Sequence, residues 1–519
     1  MADAAHGFDV RSSLPRPWEE ESSFNDALYE WMGRAPWLAL SALAHVIVFL
    51  VLWAIPWELL NPEPDRFIQA SFQPTVVDDF VEPLPEEQVE LAEEEELEEP
   101  QVLPVDPRPA TPDTAADSVG DPDFLSSPSL DRPPDHGLPL FGVGGGPQGH
   151  FGPRGPRGGG GRKGGGRGTE QALVDGLEWL KAHQSPDGSW DSDGFDSNCG
   201  TISAASTCDG PGQSANDVGM TGLALLAFLG DGNTTTTGVY KETVQSGIKW
   251  LKQQQDPDTG LLGEKIGHAY VYNHAIATLA MCEAYYSTKS PLQKKATQRA
   301  VNYITTARNP YGAWRYDVPP SGDNDTSITG WMVFALKSAE EAGLAVDDDA
   351  YAGALSWIDE VTDTSNGRVG YDSQGSASSR IERKNDHYPT DKGEAMTAVG
   401  LLSRVFMGQT PEAYPIMTKH ADLLLRKLPE WDPDGMGCDM YYWYYGSYAL
   451  YQMGGSHWTS WQKAMEKAVV GSQRRDGDEQ GSWDPIGPWG FSGGRVYSTA
   501  LMTLCLEVYF RYAKVLGAR

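Results

Sequence analysis

The stretch MYYWYYGSYALY, residues 440–451, places Tyr441, Tyr442, Trp443, Tyr444, Tyr445 and Tyr448 within eight residues. Aromatic faces in such density can stabilise a carbocation, line an isoprenoid tunnel or stack on sugar rings. Trp331, Trp489, Phe491 and Tyr497 are available to extend the set. At helical spacing about half of it points one way. Trp331, Tyr441, Tyr442, Trp443, Tyr445 and Tyr497 are therefore the cavity-lining candidates, and packing between helices accounts for the rest. A second group lies in RKNDHYPTDKGEAM, where His387 sits among Asp386, Asp391 and Glu394. A histidine among carboxylates can do acid and base work, and a solvated loop with a capping residue is the plainer reading. Of five cysteines, Cys199 and Cys208 share the loop NCGTISAASTCDG and are the one pair close enough in sequence to indicate a disulfide. Cys282, Cys438 and Cys505 fall on apolar stretches and read as buried small hydrophobes. No Cys-x-x-Cys occurs, so neither a zinc ribbon nor a thioredoxin-like site is indicated, and no metal or cofactor is expected.

The elements that must position these residues occupy the last two-thirds of the chain. With 72 acidic against 40 basic side chains the net charge is −32, which argues against nucleic acid as a partner. Much of that excess lies in residues 60–140, rich in Pro and Glu, with too few large apolar residues to offset the entropy of folding. This segment reads as a disordered tether, followed at 141–168 by a basic Gly/Arg-rich linker. Together they reach on the order of 300 Å if fully extended. Before them, Trp37 to Trp57 is 21 residues without a charge, long enough to cross a bilayer. Residues 36–59 are thus expected to form one transmembrane helix. Arg11, Arg16 and Arg34 precede it, which puts residues 1–35 in the cytoplasm and the bulk of the chain in the periplasm of a bacterial inner membrane.

From Thr169 the pattern becomes helical. TEQALVDGLEWLKAHQ sets Leu173, Leu177 and Leu180 on one face, and SPDG then ends the helix. Six such segments recur at a spacing of roughly 45 to 75 residues, each followed by a more apolar second helix. The first of each pair mixes Lys, Glu and Gln into an apolar stripe, as a water-facing outer helix should; the second carries few charges, as an inner helix should. Three of the units close on a turn, a glycine and a tryptophan: DGSW, YGAW and QGSW. The fold expected is all-α, an (α/α)6 toroid over residues 169–519 built from six helical hairpins, because no single hairpin can bury its apolar face. Asp217 and Asp325 are placed to cap the first and third inner helices.

Gly176, Trp179, Leu180, Gln184, Gly188 and Trp190 resemble the glutamine-tryptophan motif of the squalene cyclase and protein prenyltransferase superfamily. Gly247, Trp250, Leu251, Gln255 and Gly260 repeat it with Leu262 in place of the tryptophan, and Trp314 and Trp483 repeat its end. The resemblance implies an α/α toroid whose Gln184, Trp190, Gln255, Trp314 and Trp483 are clasps between repeats. It also implies where chemistry would lie. Hopene-type cyclases protonate an alkene with an Asp-x-Asp-Asp-Thr run; GDNDTS, with Asp323 and Asp325, is one aspartate short of it, and N-capping by Asp325 competes with the acid role. The prenyltransferase zinc pattern is not matched, since Cys438 and Asp439 are adjacent in the wrong order, no histidine lies near Tyr497, and His457 belongs to a loop. The anchor and tether resemble a TonB-type energy transducer, with Ser41 and His45 one turn apart in the membrane helix. That resemblance implies contact with ExbB- and ExbD-like partners. The expected function is ligand or envelope-partner binding by an anchored periplasmic toroid coupled to such a motor. An isoprenoid-processing enzyme using Asp323 and Asp325 is the alternative, and a carbohydrate-active toroid is a further one. Isoprenoid lipid and envelope glycan are the candidate ligands.

Overall fold

The computed structural model describes residues 45–47, 50, 167–200, 207–310 and 312–511. The chain divides into two units, Met1–Pro112 and Asp113–Arg519. In the first, His45, Val46 and Ile47 are helical, and they and Leu50 are exposed. The rest of the expected membrane helix with Ser41, the tether 60–140 and the linker up to residue 166 lie outside the described residues. Among the described residues no helix is long and apolar enough to cross a membrane.

In the second unit the described residues form six helix pairs. The outer helices are α1 (Arg167–Ala182), α3 (Lys241–Gln253), α5 (Pro291–Thr306), α7 (Asp348–Glu360), α9 (Ile416–Leu424) and α11 (Gly455–Ser472). The inner helices are α2 (Asp217–Gly230), α4 (Ala269–Thr288), α6 (Thr326–Glu341), α8 (Ala395–Phe406), α10 (Met440–Met453) and α12 (Gly490–Arg511), the last interrupted at Gly494. A two-residue hairpin, β1 (Thr362–Asp363) against β2 (Arg368–Val369), is a small departure from the all-α expectation in the fourth repeat.

Each inner helix packs against the next, and α12 returns to pack on α2, so the ring is closed. Outer helices bury one stripe: in α1, Leu173, Leu177 and Leu180 are buried while Gln171, Glu178 and Lys181 are exposed. Inner helices are covered along most of their length, and Val218 to Gly230 are all buried in α2. Each buried leucine there contributes roughly 2 kcal/mol relative to exposure. Glycines set the closest approaches. A Cβ on Gly222 would lie 3.0 Å from the backbone of Ala277, so a larger residue would push α2 and α4 apart.

The repeated turn is a clasp with consistent rules. Gln184 donates from Nε2 to Gly188 O (2.9 Å) in its own turn and to Thr243 O (3.0 Å) at the next outer helix. Gln255 does the same to Gly260 O (3.2 Å) and Ala296 O (2.9 Å). Gln473, in the sixth repeat, reaches Gly481 O (2.9 Å) and Ala172 O (2.7 Å), the latter in α1. The indole N–H groups of Trp190, Trp314 and Trp483 fold back onto the carbonyls of Leu180, Ile304 and Val469 at 2.7–2.9 Å. The rings of Trp190 and Trp483 lie within 3.2 Å of where a Cβ would stand on Gly247 and Gly176. The motif's first glycine thus makes room for the tryptophan of the preceding repeat. The sixth repeat treats the first as its neighbour, which is the structural meaning of closure.

Candidate functional site

Contacts among the N-termini of the inner helices show that these ends share one rim of the toroid. Tyr272 in α4 meets Ser327 in α6 (2.5 Å), Tyr441 in α10 donates to Ser327 O (3.4 Å), and Asn216 before α2 donates to Ser492 O in α12 (2.7 Å). Two of these helices are capped by buried aspartates. Asp325 accepts from the backbone N–H of Ile328 (2.9 Å) and Asp439 from that of Tyr442 (3.1 Å). Asp217 does not cap: it is the first residue of α2, and its carboxylate takes the N–H and hydroxyl of Ser192 instead. Burial pushes its pKa up to about 6.

Around Asp325 the side chains close a ring of hydrogen bonds. Ser327 Oγ donates to Asp325 Oδ1 (2.8 Å) and Tyr371 Oη to Asp325 Oδ2 (3.2 Å). Tyr371 and Tyr316 hydroxyls are 2.5 Å apart, Tyr316 and Tyr272 3.3 Å, and Tyr272 meets Ser327 at 2.5 Å. Asp325 is fully buried, whereas Tyr272, Tyr316, Tyr371, Tyr441 and Tyr497 are partly buried. Burial raises the Asp325 pKa above the ordinary carboxylate range, although the hydroxyls of Tyr316, Ser327 and Tyr371 and the Ile328 N–H oppose that shift. Burial, then the nearby tyrosine and aspartate charges, raises the phenols further, with Tyr371 pushed up to about 12. The arrangement is a neutral hydroxyl array around one acid whose burial disfavours its charged form. It can donate and accept hydrogen bonds at the rim and can hold a proton.

The structure separates the two expected acids. Asp323 is exposed and Asp325 is buried as an N-cap, so they do not share a proton as a pair. Asn324, the residue between them, accepts from Asn309 Nδ2 (2.8 Å) and Ala313 N (2.8 Å) and pins the turn. The aromatic candidates also divide. Trp331 and Tyr445 meet edge to face at 5.3 Å, and Tyr441 lies 4.9 Å from Tyr445. With Tyr444, Phe334, Phe406 and Tyr448 these rings fill the middle of the toroid wall. Tyr442 and Trp443 point away from that cluster. Tyr442 donates to Leu424 O in α9 (3.1 Å) and meets Trp461 of α11 edge-on, and Trp443 packs on Trp431. With 3.6 residues per turn, consecutive side chains of such a run are splayed by about 100° and cannot all face the same way.

In the polar loop, Asp386 accepts from Arg383 N (2.9 Å), and Glu394 is buried in an ion pair with Arg368 (2.6 Å). Arg368 and Glu394 also line a polar pocket of about 130 Å³ with Ser376, Thr390, Asp391 and Met396. Cys282, Cys438 and Cys505 are buried, as expected. Cys199 and Cys208 are brought together, but as two free thiols beside His183, and not as a disulfide. Sequence reasoning missed His183, Gln473 and Arg495. Arg495 is buried and pairs with Glu479 (3.2 Å), Asp484 (2.8 Å) and Asp209, tying the loop of the first repeat to the sixth. Gln473 was hidden by its spacing: it stands eight residues before Gly481, where Gln184 stands four before Gly188.

Residues 162–343 match the squalene-hopene cyclase C-terminal domain. Over those residues the toroid is similar to that domain. Solved structures with a related outline include an inactive variant of an α-1,6-mannanase of Salegentibacter sp. HEL1_6 in complex with α-1,6-mannotriose, at TM-score 0.44 and 11% identity, over 66% of this chain and 99% of that one. The type II terpene cyclase MstE from Scytonema matches at TM-score 0.41 and 14% identity, over 66% and 98%. An α-amylase from Clostridium perfringens matches at 0.42 and 11%, over 66% and 99%. No curated protein matches the sequence.

Proposed function

We propose that this protein is a binding toroid that meets its ligand or partner at the tyrosine-edged rim around Asp325. The observation that carries this reading is the contrast between wall and rim. Trp331, Tyr444, Tyr445, Phe334 and Tyr448 pack against one another in the interior, while five partly buried tyrosines stand at the N-terminal ends of the inner helices and their loops. Phenol rings flanked by hydroxyls suit a polyhydroxylated ligand such as an envelope glycan, through ring stacking and paired hydrogen bonds. In this reading residues 36–59 anchor the chain in the inner membrane, the toroid is periplasmic, and Ser41 and His45 face a proton-driven ExbB- and ExbD-like motor.

One observation favours a second reading. A buried carboxyl with a raised pKa, linked through Tyr371, Tyr316 and Tyr272, is suited to donate a proton, as an isoprenoid cyclase requires. Native mass spectrometry of the full chain, incubated separately with envelope glycan fragments and with a lipid extract, tests both. Retained glycan that is lost in Tyr316→Ala supports rim binding. Retention of an isoprenoid whose mass changes in wild type and not in Asp325→Asn replaces it with the enzyme reading, and retention of neither refutes rim binding of these ligands.

A further inference from the structure

His183 follows the last turn of α1 and is fully buried, its ring stacked on Trp179 at 4.1 Å. Its Nδ1 lies 2.8 Å from Trp179 O, a carbonyl that can only accept, so Nδ1 carries the hydrogen and Nε2 presents a lone pair. Facing that lone pair are two sulfurs from opposite sides of one loop: Cys199 Sγ at 3.5 Å and Cys208 Sγ at 3.4 Å. A cation that binds both sulfurs as thiolates, with the imidazole as third donor, engages all three at once and leaves the cluster neutral when it is divalent.

We propose that His183, Cys199 and Cys208 form a zinc site. The three donor atoms lie within 4.8 Å of one another. Tetrahedral zinc with Zn–N of about 2.05 Å and Zn–S of about 2.3 Å separates nitrogen from sulfur by roughly 3.5 Å, the spacing present here. The nitrogen and thiolate donors select zinc over magnesium or calcium. The surroundings hold the donors in place, as outer-shell partners of metal ligands do. The carbonyl of Trp179 fixes the imidazole, Cys208 N–H donates to Cys199 Sγ (3.1 Å), and Asp478 Oδ2 accepts from Gly200 N (3.0 Å). Trp179 Nε1 in turn donates to Asp478 O (2.9 Å), so the sixth repeat braces a site built in the first. Three protein donors leave a fourth position for water or an exogenous ligand, and Cys199, only partly buried, marks the side from which it is reached. This site is independent of the rim reading.

The test is metal analysis of the full chain, purified under reducing conditions with zinc supplied and then dialysed. The expected content is about one zinc per chain. It should fall at least fivefold in Cys199→Ser, Cys208→Ser and His183→Gln, and stay near one in Cys282→Ser and Cys438→Ser, whose thiols are buried elsewhere. Cobalt exchanged into the wild-type protein should give sulfur-to-cobalt charge-transfer absorption and tetrahedral visible bands. That readout holds even where a variant fails to fold. Wild-type protein without zinc and without the cobalt spectrum overturns the proposal, as does a Cys199–Cys208 disulfide recovered from the reduced and dialysed protein.

Discussion

Replacing Gln473 by alanine tests whether the toroid is closed or merely a curved stack. The side chain is buried and spends its two amide hydrogens on Ala172 O and Gly481 O. Ala172 belongs to the first outer helix, so one of these bonds spans the junction between the ends of the repeat array. A buried hydrogen bond contributes about 1 kcal/mol net, and a carbonyl left unpaired costs about 1–3 kcal/mol. Ala172 O keeps its helical partner, so the main loss falls on Gly481 O, and the total is about 2–3 kcal/mol. Gln184→Ala, which breaks the equivalent pair in the first repeat, should lose the same amount. Urea unfolding followed by far-UV circular dichroism measures both, with the midpoint shift multiplied by the slope. In a closed ring the two variants agree within about 0.5 kcal/mol. A Gln473→Ala protein as stable as wild type, beside a Gln184→Ala protein that loses about 2 kcal/mol, would refute closure, because an open array frays at its ends at little cost.

Two buried histidines should weaken the fold as pH falls. Burial depresses the pKa of His274 and His420 to about 4, so each is neutral in the folded state and protonates first in the unfolded one. Their stabilisation is fully present above about pH 6.5 and is lost as pH falls toward 4, by up to ~3 kcal/mol per residue; a flat urea midpoint across that window would contradict it. Asp325 behaves oppositely, since a raised folded pKa gives stability that is present at low pH and declines as pH rises. Asp325→Asn, which keeps the acceptor for Ile328 N–H, should therefore melt no lower than wild type at pH 7, whereas Asp325→Ala should lose about 1–2 kcal/mol with the cap; equal losses in both would show that the charge itself is needed. Gly481→Ala combines φ +92° with a Cβ that would lie 2.2 Å from Asp175 O, while Gly408 has φ +78° and open space. The first should cost more than about 3 kcal/mol and the second about 1 kcal/mol, a difference that thermal melts would resolve.

Much of the fold was legible because its signal is local. Leu173, Leu177 and Leu180 declare an outer helix by spacing alone, and the run from Val218 to Leu229 declares an inner one by lacking any water-facing stripe. The turn motif was legible for the same reason, since each glutamine and glycine of a clasp lies within a few residues of the other. The candidate site was far less so. Tyr272, Tyr316 and Tyr371 come from three separate segments, and no spacing rule links them to Asp325. The closeness of Asp323 and Asp325 in sequence misled, because Asp325 is drawn in as the N-cap of α6 while Asp323, two residues earlier in the turn, stays in solvent.

By itself the sequence determined the six helical hairpins, their inner and outer members, and the glutamine, glycine and tryptophan that join them, since periodicity and turn chemistry act over a few residues. Tertiary structure alone decided that Arg495 and Gln473 join the last repeat to the first, and that Tyr442 and Trp443 turn outward while Tyr441 and Tyr445 do not. It also decided that His183 meets Cys199 and Cys208. Those outcomes depend on which surfaces lie opposite each other once the ring closes, and closure is a property of all six repeats together.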